Sequence, residues 1–234
     1  MRTWQVGDVM TTDVATVTED TPYRDIIDVV TDWQISAVPV VDTFGYVRGV
    51  VSESDLLLKV EMIGDEPAHR IFERRRRRRD RVKADAAIAR DLMTSPAITT
   101  LASTPLVSAA KLMHTENVKR LPVTDDLGRI IGIVTRGDLL KVHLRPDVDI
   151  QCDVGEEVLR KVLAVRDGQV RLYVTDGVVR LAGRVQRRST AQLAGKLATQ
   201  VGGVVEVRNE LEYDVDDTVY AELGPPAGTP IAIA

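Results

Sequence analysis

The sequence predicts an α+β protein in which two β-α-β-β-α repeats precede a smaller α-β-β-α-β unit. The first observation is a recurring string, because GVVSESDLLLK at 49–59 returns as GIVTRGDLLKV at 132–142. The second is that a shift of 83 residues aligns Met, Pro, Gly and Asp landmarks without a gap from residue 8 to residue 57. The third is a change of pattern near residue 149, after which two alternating strands flank Asp176-Gly177, a tight-turn signal.

The composition is that of a globular protein, with 44% hydrophobic and 28% charged residues. No apolar run reaches the roughly 18 residues that a membrane-spanning helix needs, and the N-terminus MRTWQVGDVM lacks the pattern of a signal peptide. The single cysteine, Cys152, cannot form an internal disulfide and is expected to be a small, partly buried residue. These features predict a cytoplasmic protein.

Each repeat is expected to begin with a short strand and a capped helix. Thr21 and Thr104 suit the N-cap, and Pro22 and Pro105 follow at the first helical position, where a missing N–H costs nothing. Apolar residues then recur at helical spacing, and two short strands joined by a glycine-containing turn follow.

A second helix is expected to begin after these strands, at Ser52 in the first copy and at Thr135 in the second. The acid three residues later, Asp55 or Asp138, completes a capping box and places negative charge near the positive end of the helix. A cap of this kind needs no ligand, so a purely structural interpretation of these four residues is open.

The two repeats resemble the CBS domain, a family named after cystathionine β-synthase. The motifs that carry the resemblance are D-V-M-T, T-P, A-V-P-V-V-D and G-V-V-S-E-S-D in the first copy, and D-L-M-T, T-P, R-L-P-V-T-D and G-I-V-T-R-G-D in the second. They extend over roughly residues 6 to 145. The resemblance implies a pair packed about a pseudo-two-fold axis, two clefts that bind adenine nucleotides in many members, and face-to-face homodimers.

The resemblance also implies ligand-binding roles for the capping residues. In the family the aspartate binds the ribose and the hydroxyl residue lies near the phosphates. The first role transfers to Asp55 and Asp138, and the second to Ser52, Ser54 and Thr135. The chemistry suits these residue types, because an ionised carboxylate only accepts hydrogen bonds and both ribose hydroxyls can donate them. A helix N-terminus also attracts phosphate.

Each cleft is implied to take its adenine-facing residues from the other repeat. The residues implied opposite Asp138 are Thr11, Ala15 and Ser36. The residues implied opposite Asp55 are Thr94, Ile98 and Lys119.

The resemblance predicts that the two clefts differ in charge. Lys119 and Arg120 match positions where many members carry phosphate-binding charge, and Arg136 adds another, whereas the first copy has no positive charge at the matching positions. One cleft is therefore expected to suit anionic ligands better than the other. A solvated pair of cations explains Lys119 and Arg120 equally well.

A strongly basic segment separates the repeats. Arg74 to Arg79 is uninterrupted, and residues 70 to 90 contain ten Lys or Arg and three acids, although the whole chain carries a net charge of −4. The segment is interpreted as a solvated linker that pairs with acidic surface. Contact with nucleic acid or an anionic membrane is the less favoured alternative, because no aromatic residues interleave with the arginines and the remainder of the chain is acidic.

The C-terminal unit has a different order of elements. These are a helix around Val154 to Leu163, strands on either side of Asp176-Gly177, a helix from about Ser189 to Val201, and a last strand from Val204. The unit resembles a BON domain over roughly 149 to 215, with Gly177, Gly183, Gly203 and Asn209 at the family's positions. BON domains occur mostly in bacteria and are associated with phospholipid binding. Without an export signal, a small interaction module whose glycines serve turns is the preferred interpretation.

The predicted divisions of the chain follow from these patterns. They are a first CBS repeat at 1–63, a basic linker at 64–88, a second CBS repeat at 89–146, a BON domain at 147–215 and a flexible tail at 216–234.

The sequence offers no catalytic or metal-binding pattern. His69, His114 and His143 are scattered, and the paired acids Asp125-Asp126 and Asp216-Asp217 are interpreted as turn or tail residues. We therefore expect a bacterial regulatory protein without a catalytic cofactor, not an enzyme. It would sense AMP, ADP, ATP or S-adenosylmethionine and act on a protein target through dimer contacts or the BON unit. The alternative is a scaffold that binds phospholipid or nucleic acid through the BON unit and the arginine run.

Overall fold

A computed structural model describes residues 4–61, 83, 86–166 and 168–218. The Arg74 to Arg79 run and the predicted tail beyond residue 218 lie outside the described residues. The described chain divides into two units. The repeat unit is Gln5–Leu139, and the C-terminal unit contains Trp4 together with the residues from Leu140 onwards.

The expected β-α-β-β-α order is confirmed in both repeats. After a 3-10 helix at Val6–Asp8, the first repeat contains β1 (Val17–Thr18), α1 (Tyr23–Asp32), β2 (Ala37–Val41), β3 (Val47–Ser52) and α2 (Glu53–Glu61). The second repeat contains α3 (Ala89–Leu92), β4 (Thr100–Leu101), α4 (Leu106–Thr115), β5 (Arg120–Thr124), β6 (Ile130–Thr135) and α5 (Arg136–Leu140). In each sheet the first strand runs parallel to the second, and the second runs antiparallel to the third.

The predicted N-caps are wrong by one residue. Pro22 occupies the N-cap of α1, which begins at Tyr23. The Thr21 hydroxyl instead accepts a hydrogen bond from the Thr18 backbone N–H at 3.0 Å. In the second repeat, Pro105 is likewise the N-cap. The hydroxyl is used in the turn before the helix, so it does not cap the helix itself.

The two repeats exchange their N-terminal segments. Thr11 and Ile133 form two backbone hydrogen bonds of 2.9 Å, which place the start of the first repeat on the edge of β6. Thr94 and Val50 form the matching pair at 2.9 and 3.1 Å, which places the start of the second repeat on β3. Each three-stranded sheet is therefore completed by a segment of the other repeat.

Glycine allows this close approach. A Cβ added to Gly132 would lie 2.7 Å from the Met10 sulfur and 3.0 Å from the Thr11 carbonyl oxygen. A Cβ added to Gly49 would lie 2.5 Å from the Met93 sulfur. The methionine of each D-x-M-T motif thus packs on the glycine that opens the other repeat's G-x-V motif. This contact explains why the two motifs recur together in the sequence.

The hydrophobic core of the first repeat also contains residues from the segment that precedes the second. Ile26, Val38 and Val51 are fully buried in this core, and Leu92 from α3 is buried beside them. Ala86, which the sequence assigned to the basic linker, belongs to the same cluster. The linker is therefore not solvated over its whole predicted length.

The C-terminal unit packs helices on one face of a sheet. Its elements are a 3-10 helix (Lys141–Leu144), α6 (Asp147–Asp153), a π-helical continuation (Val154–Val162), β7 (Val170–Thr175), β8 (Val178–Arg187), α7 (Arg188–Ala198) and β9 (Glu206–Val215). The first helix thus begins earlier than predicted. Strand β8 is central, antiparallel to β7 and parallel to β9.

Cys152 is exposed, so the prediction that it is partly buried is wrong. Ile150 and Val154 are fully buried on one side of the helix. A helix turns about 100° per residue, so a residue two positions after a buried one faces the opposite side. Cys152 lies midway between Ile150 and Val154 and therefore faces away from the core.

The pair Asp125-Asp126 lies at a turn, as the sequence predicted, whereas Asp216-Asp217 contacts the start of α7. Asp125 accepts hydrogen bonds from the backbone N–H groups of Arg129 and Leu127, and the bond from Arg129 does most to hold the pKa of Asp125 below its usual value. Asp216 accepts from the Thr218 N–H at 3.1 Å. Asp217 binds the N–H and hydroxyl of Ser189 at the start of α7. The described part of the predicted tail is therefore bound to the C-terminal unit.

We expect Gly132→Val to destabilise the repeat unit by about 1–3 kcal/mol, because the new side chain overlaps Met10 and the backbone of Thr11. Chemical denaturation of the full chain would measure the loss. Gly137→Ala is the control, since its Cβ would meet only the Thr135 hydroxyl at 3.6 Å. A Gly132→Val chain with the wild-type midpoint would contradict the close packing described above.

Candidate functional site

The two predicted capping boxes form around matching aspartates. Asp55 Oδ2 accepts from the Ser52 backbone N–H at 2.9 Å and from its hydroxyl at 2.6 Å. Asp138 Oδ2 accepts from the Thr135 N–H at 2.8 Å and from its hydroxyl at 2.7 Å, and the Asp138 N–H donates to Thr135 Oγ1 at 3.2 Å. The structural interpretation of these four residues is therefore confirmed. In each cap, one carboxylate oxygen accepts both hydrogen bonds from the residue at the N-cap.

The segment exchange brings each cap close to a threonine of the other repeat. Thr11 pairs with Ile133, which is two residues before Thr135 on the same strand. Thr94 pairs with Val50, two residues before Ser52. The backbone pairing thus places a residue of the other repeat beside the strand that leads to each cap.

The first cap contains a residue that the sequence analysis did not identify. Lys83 Nζ lies 2.5 Å from Asp55 Oδ1 and 3.0 Å from Thr94 Oγ1, so it connects the two repeats. The side chains of Lys83 and Asp55 are only 18% and 14% exposed. Because ten basic residues fall between 70 and 90, composition alone did not distinguish this lysine from its neighbours.

Arg120 places a second cation at the contact between repeats. It pairs with Thr135 in the β5–β6 ladder, and its guanidinium donates to Ser36 Oγ at 2.8 Å. Burial lowers the pKa of Arg120, and the nearby Glu53 carboxylate opposes that shift. An arginine pKa stays far above neutrality, so the guanidinium remains charged. It therefore supplies positive charge beside Ser36 and Thr135.

The other predicted site residues have less specific surroundings. Arg136 donates to the Val118 carbonyl at 3.0 Å, near the end of α4. Lys119 and Ser54 are exposed, and Ala15 and Ile98 are half-buried in the loops that lead to β1 and β4. The ligand-binding roles of these residues stay predictions.

A cavity of about 440 Å³ lies in the C-terminal unit, and its lining includes none of the predicted site residues. Its lining includes Cys152, Leu159 and Val170. At its rim Arg160 donates to Glu156 at 2.5 Å.

Within the described ranges, no group of three or more His, Cys, Asp or Glu side chains is arranged to bind a metal ion. No helix in the same part of the chain is long and apolar enough to cross a membrane.

Comparison with known proteins identifies the architecture. Residues 6–61 and 89–145 match the CBS domain family, and residues 146–214 match the BON domain family. An uncharacterized protein of Methanocaldococcus jannaschii is 33% identical over 53% of this chain and 83% of its own length. The chain is a CBS-domain protein with a C-terminal BON domain. The fold class and the resemblances predicted from the sequence are thereby confirmed.

Two further relatives match the CBS repeats over about 60% of this chain. An uncharacterized protein of Methanopyrus kandleri is 33% identical over 61% of this chain, and the match spans 64% of the length of that relative. The crystal structure of CBSX2 from Arabidopsis thaliana in complex with AMP has a TM-score of 0.53 and 30% identity. It covers 60% of this chain and 97% of the CBSX2 chain. A solved CBS pair of similar fold therefore binds AMP.

The BON glycines have structural roles that agree with the preferred interpretation. Gly177 has a φ of 74° at the turn between β7 and β8, and Asp147 accepts hydrogen bonds from the N–H groups of Asp176 and Gly177. A Cβ on Gly203 would lie 2.9 Å from Ile150 in the core. Asn209 donates to the Ala191 carbonyl at 2.7 Å and so joins β9 to α7.

We expect Thr135→Val to destabilise the second CBS repeat by about 1 kcal/mol, because it removes the hydroxyl that exchanges hydrogen bonds with Asp138. Chemical denaturation would measure this change. Ser54→Ala alters an exposed hydroxyl near the other cap and should stay within about 0.5 kcal/mol of wild type. Equal effects of the two substitutions would contradict the assigned cap.

Proposed function

We propose that this protein is a regulatory sensor that binds an adenine nucleotide between its CBS repeats, at the cleft of Asp138. The candidate ligands are AMP, ADP, ATP and S-adenosylmethionine, whose shared adenosine offers a ribose cis-diol. The bound state is signalled to a protein target through CBS-pair homodimer contacts or through the BON domain. The protein acts without a catalytic cofactor and is not an enzyme.

The observation that carries the proposal is the pairing of Thr11 with Ile133. It places a residue of the first repeat on the strand that leads to Thr135 and Asp138. A ligand at this point therefore contacts both repeats. The AMP complex of CBSX2, at 30% identity, supports an adenylate as that ligand.

The local chemistry supports the same ligand class. The Asp138 carboxylate only accepts hydrogen bonds when ionised, which suits the two hydroxyl donors of a ribose. Arg120, which binds Ser36, supplies positive charge that suits a phosphate. Because Ser36 is one of the residues predicted opposite Asp138, its contact with Arg120 supports a cleft that combines an acceptor for the sugar with a cation for the anionic end of a nucleotide.

The proposed mechanism follows from the shared site. A ligand that contacts both repeats binds most tightly in one relative arrangement, and it shifts the population towards that arrangement. The size of the shift is limited by the difference in affinity between the two arrangements. A sensor of this kind therefore needs a site built from both repeats, and the segment exchange supports such a site.

The charges of the BON sheet favour this function over a membrane scaffold. Arg180 pairs with Glu210 at 2.8 Å, Arg184 with Glu212 at 2.6 Å, and Arg208 with Glu206 at 3.0 Å. Because these arginines already have anionic partners, they do not form the positive surface that attracts anionic phospholipid.

Asp138→Asn separates the capping role from the binding role. The amide oxygen still accepts from Thr135, so stability should stay close to wild type, but the amide N–H donors would face the ribose hydroxyls. We expect calorimetric titration to show at least about tenfold weaker binding of AMP, because a hydrogen bond to a charged group contributes roughly 1.5–3 kcal/mol. The same titration would rank ADP, ATP and S-adenosylmethionine.

Asp126→Asn is the matched control, since this exposed acid lies in a turn. It should bind each nucleotide as the wild-type protein does. Wild-type protein that gives no heat with any of the four ligands, but sediments with anionic liposomes in a salt-dependent manner, would replace the sensor with the scaffold.

A further inference from the structure

Lys83 occupies the space between two residues that were assigned to one cleft. Its ammonium donates to Asp55 Oδ1 at 2.5 Å and to Thr94 Oγ1 at 3.0 Å. Asp55 belongs to the first repeat and Thr94 to the second, and the family resemblance placed them opposite each other. The position expected for a ribose therefore already contains a cation of the chain itself.

The hydrogen-bonding capacity of Asp55 is nearly exhausted. The Ser52 N–H and hydroxyl donate to Oδ2, and Lys83 donates to Oδ1. A carboxylate has about four lone-pair positions, so about one remains. A ribose cis-diol offers two donors. It cannot bind Asp55 through both hydroxyls while the ammonium stays in place.

The ion pair is also difficult to displace. The two side chains are 18% and 14% exposed, so both charges are largely removed from water. A hydrogen bond between two ions is stronger than one donated by a neutral hydroxyl. Removing the partner of a buried ion leaves an uncompensated charge, which is strongly unfavourable. A neutral sugar is therefore a poor competitor for Asp55.

Contacts with the first repeat fix the backbone at Lys83. Its carbonyl accepts a hydrogen bond from the Ala86 N–H at 3.2 Å, and Ala86 is buried in the core of that repeat. Lys59 donates to the Ala86 carbonyl at 2.9 Å, and its ammonium lies 4.7 Å from the centre of the Tyr23 ring. The contacts of Ala86 with the core thus position the backbone of Lys83 so that its side chain contacts Asp55.

We propose that Lys83 is a built-in occupant of the Asp55 cleft and excludes an adenine nucleotide from it, so that the nucleotide of the proposed function binds only at Asp138. The inference rests on the proposed function, because it assigns nucleotide binding to one of two homologous clefts. Lys83 is then the residue that determines the stoichiometry. Its ammonium satisfies the carboxylate that would otherwise bind a second ribose.

Lys83→Met tests the inference in the full chain, because it keeps a long apolar side chain and removes the ammonium. AMP would be titrated calorimetrically into the wild type, K83M, and K83M combined with Asp138→Asn. We expect one AMP site per chain in the wild type and two in K83M. In the double variant one of the two sites should be at least about tenfold weaker, and adding Asp55→Asn should weaken the other in the same way.

Three control variants test whether the charge of residue 83 determines the number of AMP sites. Lys83→Arg keeps the cation and should keep one AMP per chain. Lys83→Gln is a second uncharged variant and should give two. Lys111→Met removes an exposed lysine of α4 and should match the wild type. Thermal unfolding of each variant establishes that it is folded.

The outcomes distinguish the inference from the function on which it rests. Wild-type protein that binds two AMP, or folded Lys83→Met and Lys83→Gln chains that both still bind one, would overturn the role of Lys83 and leave nucleotide sensing in place. Failure of the wild type and of both uncharged variants to bind AMP, ADP, ATP or S-adenosylmethionine would overturn both proposals.

Discussion

The exchange of N-terminal segments between the repeats is the constraint on which the rest of the repeat unit depends. The backbone of Thr11 reaches β6 because Met10 packs on Gly132, where no side chain intervenes, and Met93 packs on Gly49 in the same way. The core of the first repeat is completed by Leu92 from the chain that leads into the second. Each repeat therefore depends on the other for part of its packing. Each cap also follows a strand that pairs with a segment of the other repeat.

Much of this arrangement was predictable because it depends on local chemistry. Gly132 is needed for a close approach, and Asp138 is needed for a cap, so both residue types recur at the same place in the two copies. The predictions failed where one residue type has two local uses. Thr21 has a hydroxyl that suits a helix cap, but the turn before the helix uses it. Cys152 is of a type that is often buried, but its position on α6 faces away from the core.

Long-range contacts of surface residues were not predictable in the same way. Lys83 is one of ten basic residues between 70 and 90, and nothing in their spacing indicates which of them meets Asp55. Arg120 was expected to bind phosphate, yet its contact with Ser36 joins two residues 84 positions apart. Contacts of this kind depend on where the folded backbone places the two residues. Neither the periodicity nor the composition of the sequence predicts that placement.

The role proposed for Lys83 gives the two copies of a duplicated motif different binding properties. Both caps position a carboxylate in the same way, through Ser52 or Thr135, so the backbone does not distinguish them. Lys83, which contacts Asp55, lies outside the repeated motif. A mostly buried ion pair contributes little net stability compared with apolar packing, because each charge must lose its water. Under the role proposed for Lys83, the pair serves specificity, because the ammonium keeps a ribose from binding Asp55.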